Sequence, residues 1–185
     1  MADYITTYTG EHFYPLQPEA HKIKIEDIAH ALSLLCRGNG HVTHFFSVGQ
    51  HCINCALEAK ARGYGKRICL ACLLHDGAEA YLSDVPRPFK KTMPSYIALE
   101  ERILSMIYEK FLGSYLTKEE WDIIKRIDDD MLYFDLSVLL KETPEVVKPE
   151  MASAFSEEYI PFEYVEAKFL ELYYEFLGDS FPCVE

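Results

Sequence analysis

Apolar residues recur at helical spacing along most of the chain, and Gly and Pro punctuate them. Residues 1 to 24, with Gly10, Pro15 and Pro18, are expected to be irregular. Ile25 to Cys36 reads as a helix stopped by Gly38-Asn39-Gly40, and Val42 to Ala61 as a second ended by Gly63 and Gly65. Lys66 to Leu82 is a third, closed by Val85-Pro86-Arg87-Pro88. A fourth follows Pro94 and runs to Gly113. Thr117-Lys118-Glu119-Glu120 has the form of a capping box and opens a fifth helix reaching about Lys141. Pro144 and Pro149 mark a loop, and Pro161 to Leu177 is a last helix, rich in aromatics and ended by Gly178. Strand-like alternation is scarce. The pattern predicts an all-α fold with short loops and no internal repeat.

Helical rotation sorts the polar residues. At about 100° per residue, Trp121, Ile124, Asp128, Leu132, Asp135 and Leu139 fall on one stripe, apolar except for its two Asp residues. Asp129 and Asp130 rotate away from it. An inward Asp128 needs a partner, either a metal ion or a buried Arg. His75-Asp76 closes the apolar run Ile68 to Leu74, so both residues end near a core or at a helix end facing solvent. Imidazole nitrogen and carboxylate oxygen suit divalent transition metals. Glu79 shares a helical face with His75 and Asp76, and Asp84 follows before a segment carrying Arg87, Lys90 and Lys91. Metal-assisted hydrolysis of a phosphate ester needs this inventory of ligands, proton-handling carboxylates and cations. In the second helix His44, His51 and Cys55 lie nearly on one line, and either His could be a ligand. His12, His21, His30 and His41 read as ordinary core or rim residues.

Composition narrows the class. The 185 residues fit one domain, 49% are apolar, and no run approaches the roughly 18 apolar residues of a membrane span. The opening Met1-Ala2-Asp3-Tyr4 lacks the basic and apolar regions of a signal peptide, so a cytoplasmic protein is expected. A net charge of -12 argues against long nucleic acid as a partner, while a small anion remains possible where a few cations share a pocket. Four of the six cysteines form the pairs Cys52/Cys55 and Cys69/Cys72. Both pairs sit in helical, apolar stretches, which favours reduced core packing over a zinc knuckle.

These residues together resemble the HD superfamily of metal-dependent phosphohydrolases, in which a His, a His-Asp pair and a distant Asp lie on helices. The resemblance covers about Ile25 to Lys141 and comes nearest to bacterial and phage nucleotide phosphohydrolases such as the 5′-deoxynucleotidases. It implies an HD-domain helical bundle over residues 1–185, with a core at about 25–141 and a C-terminal helix at about 161–178. It places the first ligand at His51, within Gly49-Gln50-His51-Cys52, beside His75, Asp76 and Asp128. The implied cofactor is one divalent ion, a transition metal such as Mn, Co, Fe, Ni or Zn, or else Mg. Glu79 matches a carboxylate at the nucleophilic water, Asp84 an acid–base residue near the phosphate, and Arg37 and Lys90 phosphate-binding cations. The implied reaction is hydrolysis of a nucleotide phosphoester, 5′-dephosphorylation of a (deoxy)nucleoside monophosphate. Its alternatives are release of triphosphate from a dNTP, or nucleotide binding without turnover. In the deoxynucleotidases a Trp follows the phosphate-binding Arg, whereas Gly38 follows Arg37 here, so deoxyribose selectivity is not implied. Related nucleotidases often dimerise, and the aromatics Phe162, Tyr164, Phe169, Tyr173, Tyr174 and Phe176 suit either a core or a homodimer interface.

Overall fold

The computed structural model describes residues 3–178; Met1 and Ala2, which open the N-terminal stretch considered above, lie outside it, as do residues 179–185 of the expected 1–185 domain. The helices start and stop where side chains satisfy or interrupt the backbone. Helix α1 spans Ile25–Leu34, and its apolar face (Ile25, Ile28, Ala29, Leu32) is buried. Helix α2 spans Val48–Ala61 and is capped by Ser47, whose hydroxyl accepts from the Gln50 N–H. Helix α3 spans Lys66–Leu74, and two short turns follow, α4 at Glu79–Leu82 and α5 at Arg87–Lys90. Helix α6 runs from Pro94 to Leu112, with proline in its first turn and Gly113 left-handed at its end. Helix α7, Lys118–Phe134, opens with the expected capping box of Thr117 and Glu120 and widens into a π-helical segment, Asp135–Leu139. Helix α8 is Phe162–Leu177.

The fold is all-α, and α2 and α3 are its central pair. Helices α1 and α8 pack against each other and on this pair, α7 packs on both α2 and α3, and α6 packs on α3 and meets α8 through Phe111 and Tyr173. One apolar core runs from Phe13 to Phe176. Phe169, Tyr173 and Phe176 of α8 belong to it, which leaves Tyr164 and Tyr174 as the exposed aromatics of that helix. No helix among the described residues is long and apolar enough to cross a membrane.

Four expectations need correction. The N-terminal region is not wholly irregular, since Ile5–Thr6 (β1) and His12–Phe13 (β2) pair as an antiparallel hairpin that sends Phe13 into the core. The second helix begins at Val48, not Val42. Residues before Ser47 are held extended by the Cys36–Ser47 bridge and by a bond from the Arg37 N–H to the Phe46 carbonyl, so helical registry between His44 and His51 does not exist. The third helix breaks after Leu74. A Cβ on Gly77 would stand 2.9 Å from the Leu74 carbonyl oxygen and 3.1 Å from Ile107, so this tight turn needs glycine. Glu79 therefore reaches the site from a new helical turn, not from the face of a continuous helix. Finally, the loop around Pro144 and Pro149 is not short, reaching from the end of the π segment to α8.

That long segment is clasped onto α2. Gln50 and Asn54 donate to the Ser156 carbonyl at 3.2 and 3.0 Å, Gln50 also donates to the Glu158 carbonyl, and His44 Nε2 lies 2.6 Å from the Glu157 carbonyl. Lower on α2, the fully buried Glu58 accepts from the Ala152 and Ser153 N–H groups, the Ser153 hydroxyl and Arg62.

Candidate metal and anion site

Four residues from three parts of the chain meet at one point. Helix α2 supplies His51, the break after α3 supplies His75 and Asp76, and α7 supplies Asp128. His51 Nε2 is 3.2 Å from Asp128 Oδ1, and His75 Nε2 is 3.6 Å from the same oxygen and 3.3 Å from Asp76 Oδ2. Ligand atoms about 2.0–2.2 Å from a tetrahedral ion stand about 3.3–3.6 Å apart, so these spacings fit the edges of a coordination cage. His75 Nε2 is buried and makes no hydrogen bond, while His75 Nδ1 lies 2.7 Å from the Cys72 carbonyl. In a neutral ring with its proton at Nδ1 toward that carbonyl, Nε2 would offer its lone pair on the side of the Asp oxygens. The buried His, Cys and Asp groups gathered here could hold a metal ion.

Charge distribution agrees with that geometry. Burial opposes ionisation of Asp128, but His51 and His75 outweigh it and hold its pKa well below the ordinary value. Burial likewise pulls both imidazoles down. It is overcome for His75 by Asp76, Cys52 and Asp128, and for His51, which Arg37 also pulls down, by Cys55, Asp135 and Asp128, so both imidazoles are held well above their ordinary value. A divalent ion at this point would supply the positive charge those protons otherwise provide.

The cysteines behave as buried apolar groups. Cys52, Cys55, Cys69 and Cys72 are free and buried, and burial raises the Cys52, Cys69 and Cys72 thiols. No four-cysteine cluster forms among the described residues. Two sulfurs do border the site: Cys55 Sγ is 3.5 Å from His51 Nε2, and Cys52 groups with His75 and Asp76.

His75, Asp76 and Asp128 line a cavity of about 1000 Å³, with His51 buried behind them, and all four remaining site candidates line that cavity. Glu79 is buried; burial, Asp76 and Asp84 push its carboxyl well up. Burial raises Asp84 too, helped by Asp76 and opposed by Arg37 and Lys90. Ser83 turns the chain into position with φ 76°, a strained value for a side-chain-bearing residue, and the Tyr96 hydroxyl holds its carbonyl. Neither cation is free. Arg37 Nη2 is 2.6 Å from Asp135 and its Nη1 is 3.4 Å from Asp76. Lys90 is 2.7 Å from Glu100 and 3.9 Å from Glu79. Apolar side chains complete the lining, with Leu104 and, on the same α7 stripe as Asp128 and its π-helical continuation, Trp121, Ile124, Leu132 and Leu136, while Arg87 and Lys125 line it from more exposed positions.

Two participants escaped the sequence reasoning. Asp135 was visible as the second acid on the α7 stripe, but its partners were not. Lys125, on the solvent side, reaches the outer oxygen of Asp128 at 3.1 Å. Among the His residues read as ordinary, His30 pairs with Glu166 and stacks on Tyr8, His12 stacks on Tyr4, and His21 is exposed. His41 lies at the cavity mouth.

No family model matches the chain. An uncharacterized protein of Escherichia coli (strain K12), YfdR, is 39% identical over 108 residues, 58% of this chain and 58% of that one. An uncharacterized protein of Rhodobacter capsulatus, RCAP_rcc00048, is 36% identical over 108 residues, 56% of this chain and 55% of that protein. The chain spans less than two thirds of the length of the curated relatives it matches.

Proposed function

We propose that this chain is a metal-dependent phosphohydrolase of the HD-domain superfamily, acting in the cytoplasm on the 5′-phosphoester of a nucleotide. One observation carries the proposal. His51, His75, Asp76 and Asp128 converge at ligand-to-ligand spacing beside a cavity that Glu79, Asp84, Arg37 and Lys90 line. Those four residues would hold a divalent ion, which would supply Lewis acidity toward water and a phosphoryl oxygen. The other residues supply the remainder. Glu79, with its raised carboxyl, exchanges a proton with the attacking water, and Asp84 manages a proton at the ester. Arg37 and Lys90 face the phosphoryl oxygens, and the apolar wall with Trp121 receives the nucleoside.

The cations at the rim favour a second reading. Arg87 and Lys125 line the same cavity, where they suit additional phosphates, as in a triphosphohydrolase acting on a dNTP. A panel of nucleoside mono- and triphosphates, tested with Mn, Co, Ni, Zn and Mg, separates the two by product. Inorganic phosphate from monophosphates supports the nucleotidase, and intact triphosphate supports the alternative. Absence of hydrolysis with every metal and nucleotide would overturn both.

A further inference from the structure

We propose that Asp135 is a positioning residue for both halves of the site, fixing the tautomer of His51 toward the ion and anchoring Arg37 for the phosphate. The inference rests on the proposed function, in which His51 is a metal ligand.

Asp135 opens the π-helical segment that follows α7, and its side chain is only 6% exposed. It lies seven residues beyond Asp128, so both carboxylates project from one side of this helix. Its Oδ2 stands 2.9 Å from His51 Nδ1 and 2.6 Å from Arg37 Nη2. The His51 ring has no solvent exposure, so water cannot stand in for a partner. A neutral imidazole carries one proton. For Nε2 to offer a lone pair beside Asp128, that proton must sit on Nδ1, and Asp135 is the acceptor beside it.

His75 follows the same scheme with a neutral partner, its Nδ1 facing the Cys72 carbonyl. For His51 the partner is a carboxylate, which makes the imidazole the stronger donor of the two. The His51 Nδ1 to Asp135 Oδ2 contact is close, yet His51 Nδ1 makes no well-directed hydrogen bond. At that separation a small reorientation of the ring would direct the N–H onto the carboxylate. The same oxygen secures Arg37. Of the two carboxylates that hold Arg37, Asp76 is assigned to the ion, so Asp135 remains as the anchor when phosphate arrives.

A purely structural role would be neutralisation of the buried Arg37 charge. The test removes that role first. Replacing both members of a buried pair with apolar residues of similar volume is commonly tolerated, so Arg37→Met and Arg37→Met/Asp135→Leu are compared in the full chain. Binding of Mn²⁺ is measured by calorimetry. Arg37→Met is expected to bind as tightly as wild type or more tightly, since a nearby cation has gone. Adding Asp135→Leu is expected to weaken binding 10- to 100-fold. With Zn²⁺ bound, ¹⁵N-histidine NMR should find His51 protonated at Nδ1 in wild type and in Arg37→Met. Equal Mn²⁺ affinity in the single and double variants would overturn the role of Asp135 while leaving the metal site standing. Failure of the wild type to bind any divalent ion would instead remove the proposed function beneath it.

Discussion

Glu58→Ala is the sharpest test of the clamp that holds residues 150–158 against α2. The carboxylate has no solvent exposure and accepts from Ala152 N (2.9 Å), Ser153 N (2.8 Å), Ser153 Oγ (2.6 Å) and Arg62 Nε (2.7 Å). Removing it leaves two backbone N–H groups without an acceptor. Arg62 keeps Asp130 at 2.8 Å, and the Ser153 hydroxyl can turn away. Bonds to a charged acceptor contribute roughly 1.5–3 kcal/mol each but are not additive. Breaking a buried charge cluster from one side costs about 3–5 kcal/mol, the loss expected here. Urea unfolding at neutral pH, followed by circular dichroism, measures it. The pH dependence has a definite sign. Burial raises the Glu58 carboxyl, but its two backbone donors, Ser153 and Arg62 outweigh burial and hold the pKa below its ordinary 4.5. The contribution is therefore complete above 4.5 and lost as pH falls through the depressed folded value. The gap between wild type and variant should narrow on acidification. A loss under about 1 kcal/mol at neutral pH, or a gap that widens toward acid, would refute the clamp.

Three further outcomes are expected, two of them from the site. Glu79→Gln should retain its metal and fold yet lower turnover about 10²- to 10⁴-fold with the preferred nucleotide, and normal turnover with metal in place would contradict its proton-handling role. Arg37→Ala should raise KM for a nucleotide, with kcat falling as well if the contact strengthens in the transition state; unchanged kinetics would make Arg37 only a counter-ion for Asp135 and Asp76. If the homodimer implied by the resemblance forms, light scattering at micromolar concentration should give a dimer mass, and monomer mass alone would count against it.

Much of the fold was legible because its punctuation is local. Pro94, Gly113 and the Thr117–Glu120 box mark helix ends within a few residues of the places they act. The start of α2 was not, since Val42 to Phe46 continues an apolar pattern that either a helix or an extended segment satisfies. The decision there came from Ser47 capping the helix and from the pairing of Cys36 with Ser47. The break after α3 had a visible glycine, yet the need for it at position 77 arises from the carbonyl and Ile107 that crowd its Cα. At the site, rotation around α7 was enough to turn Asp128 inward and separate it from Asp129. What single-sequence periodicity could not supply was pairing across the chain. Asp135 meets Arg37 and His51 from helices far away in sequence, and Lys90 meets Glu100 on α6. Cations chosen by the sequence as phosphate ligands are thereby carboxylate-paired in the fold.

The central claim is that His51, His75, Asp76 and Asp128 form one metal site, and elemental analysis of the purified full chain tests it most directly. The account predicts a divalent metal at about one per chain, lost in both His75→Ala and Asp128→Ala because an incomplete ligand set holds its ion poorly, and kept in Cys52→Ser/Cys55→Ser. Metal retained in both ligand variants, or lost equally from the cysteine variant, would contradict it.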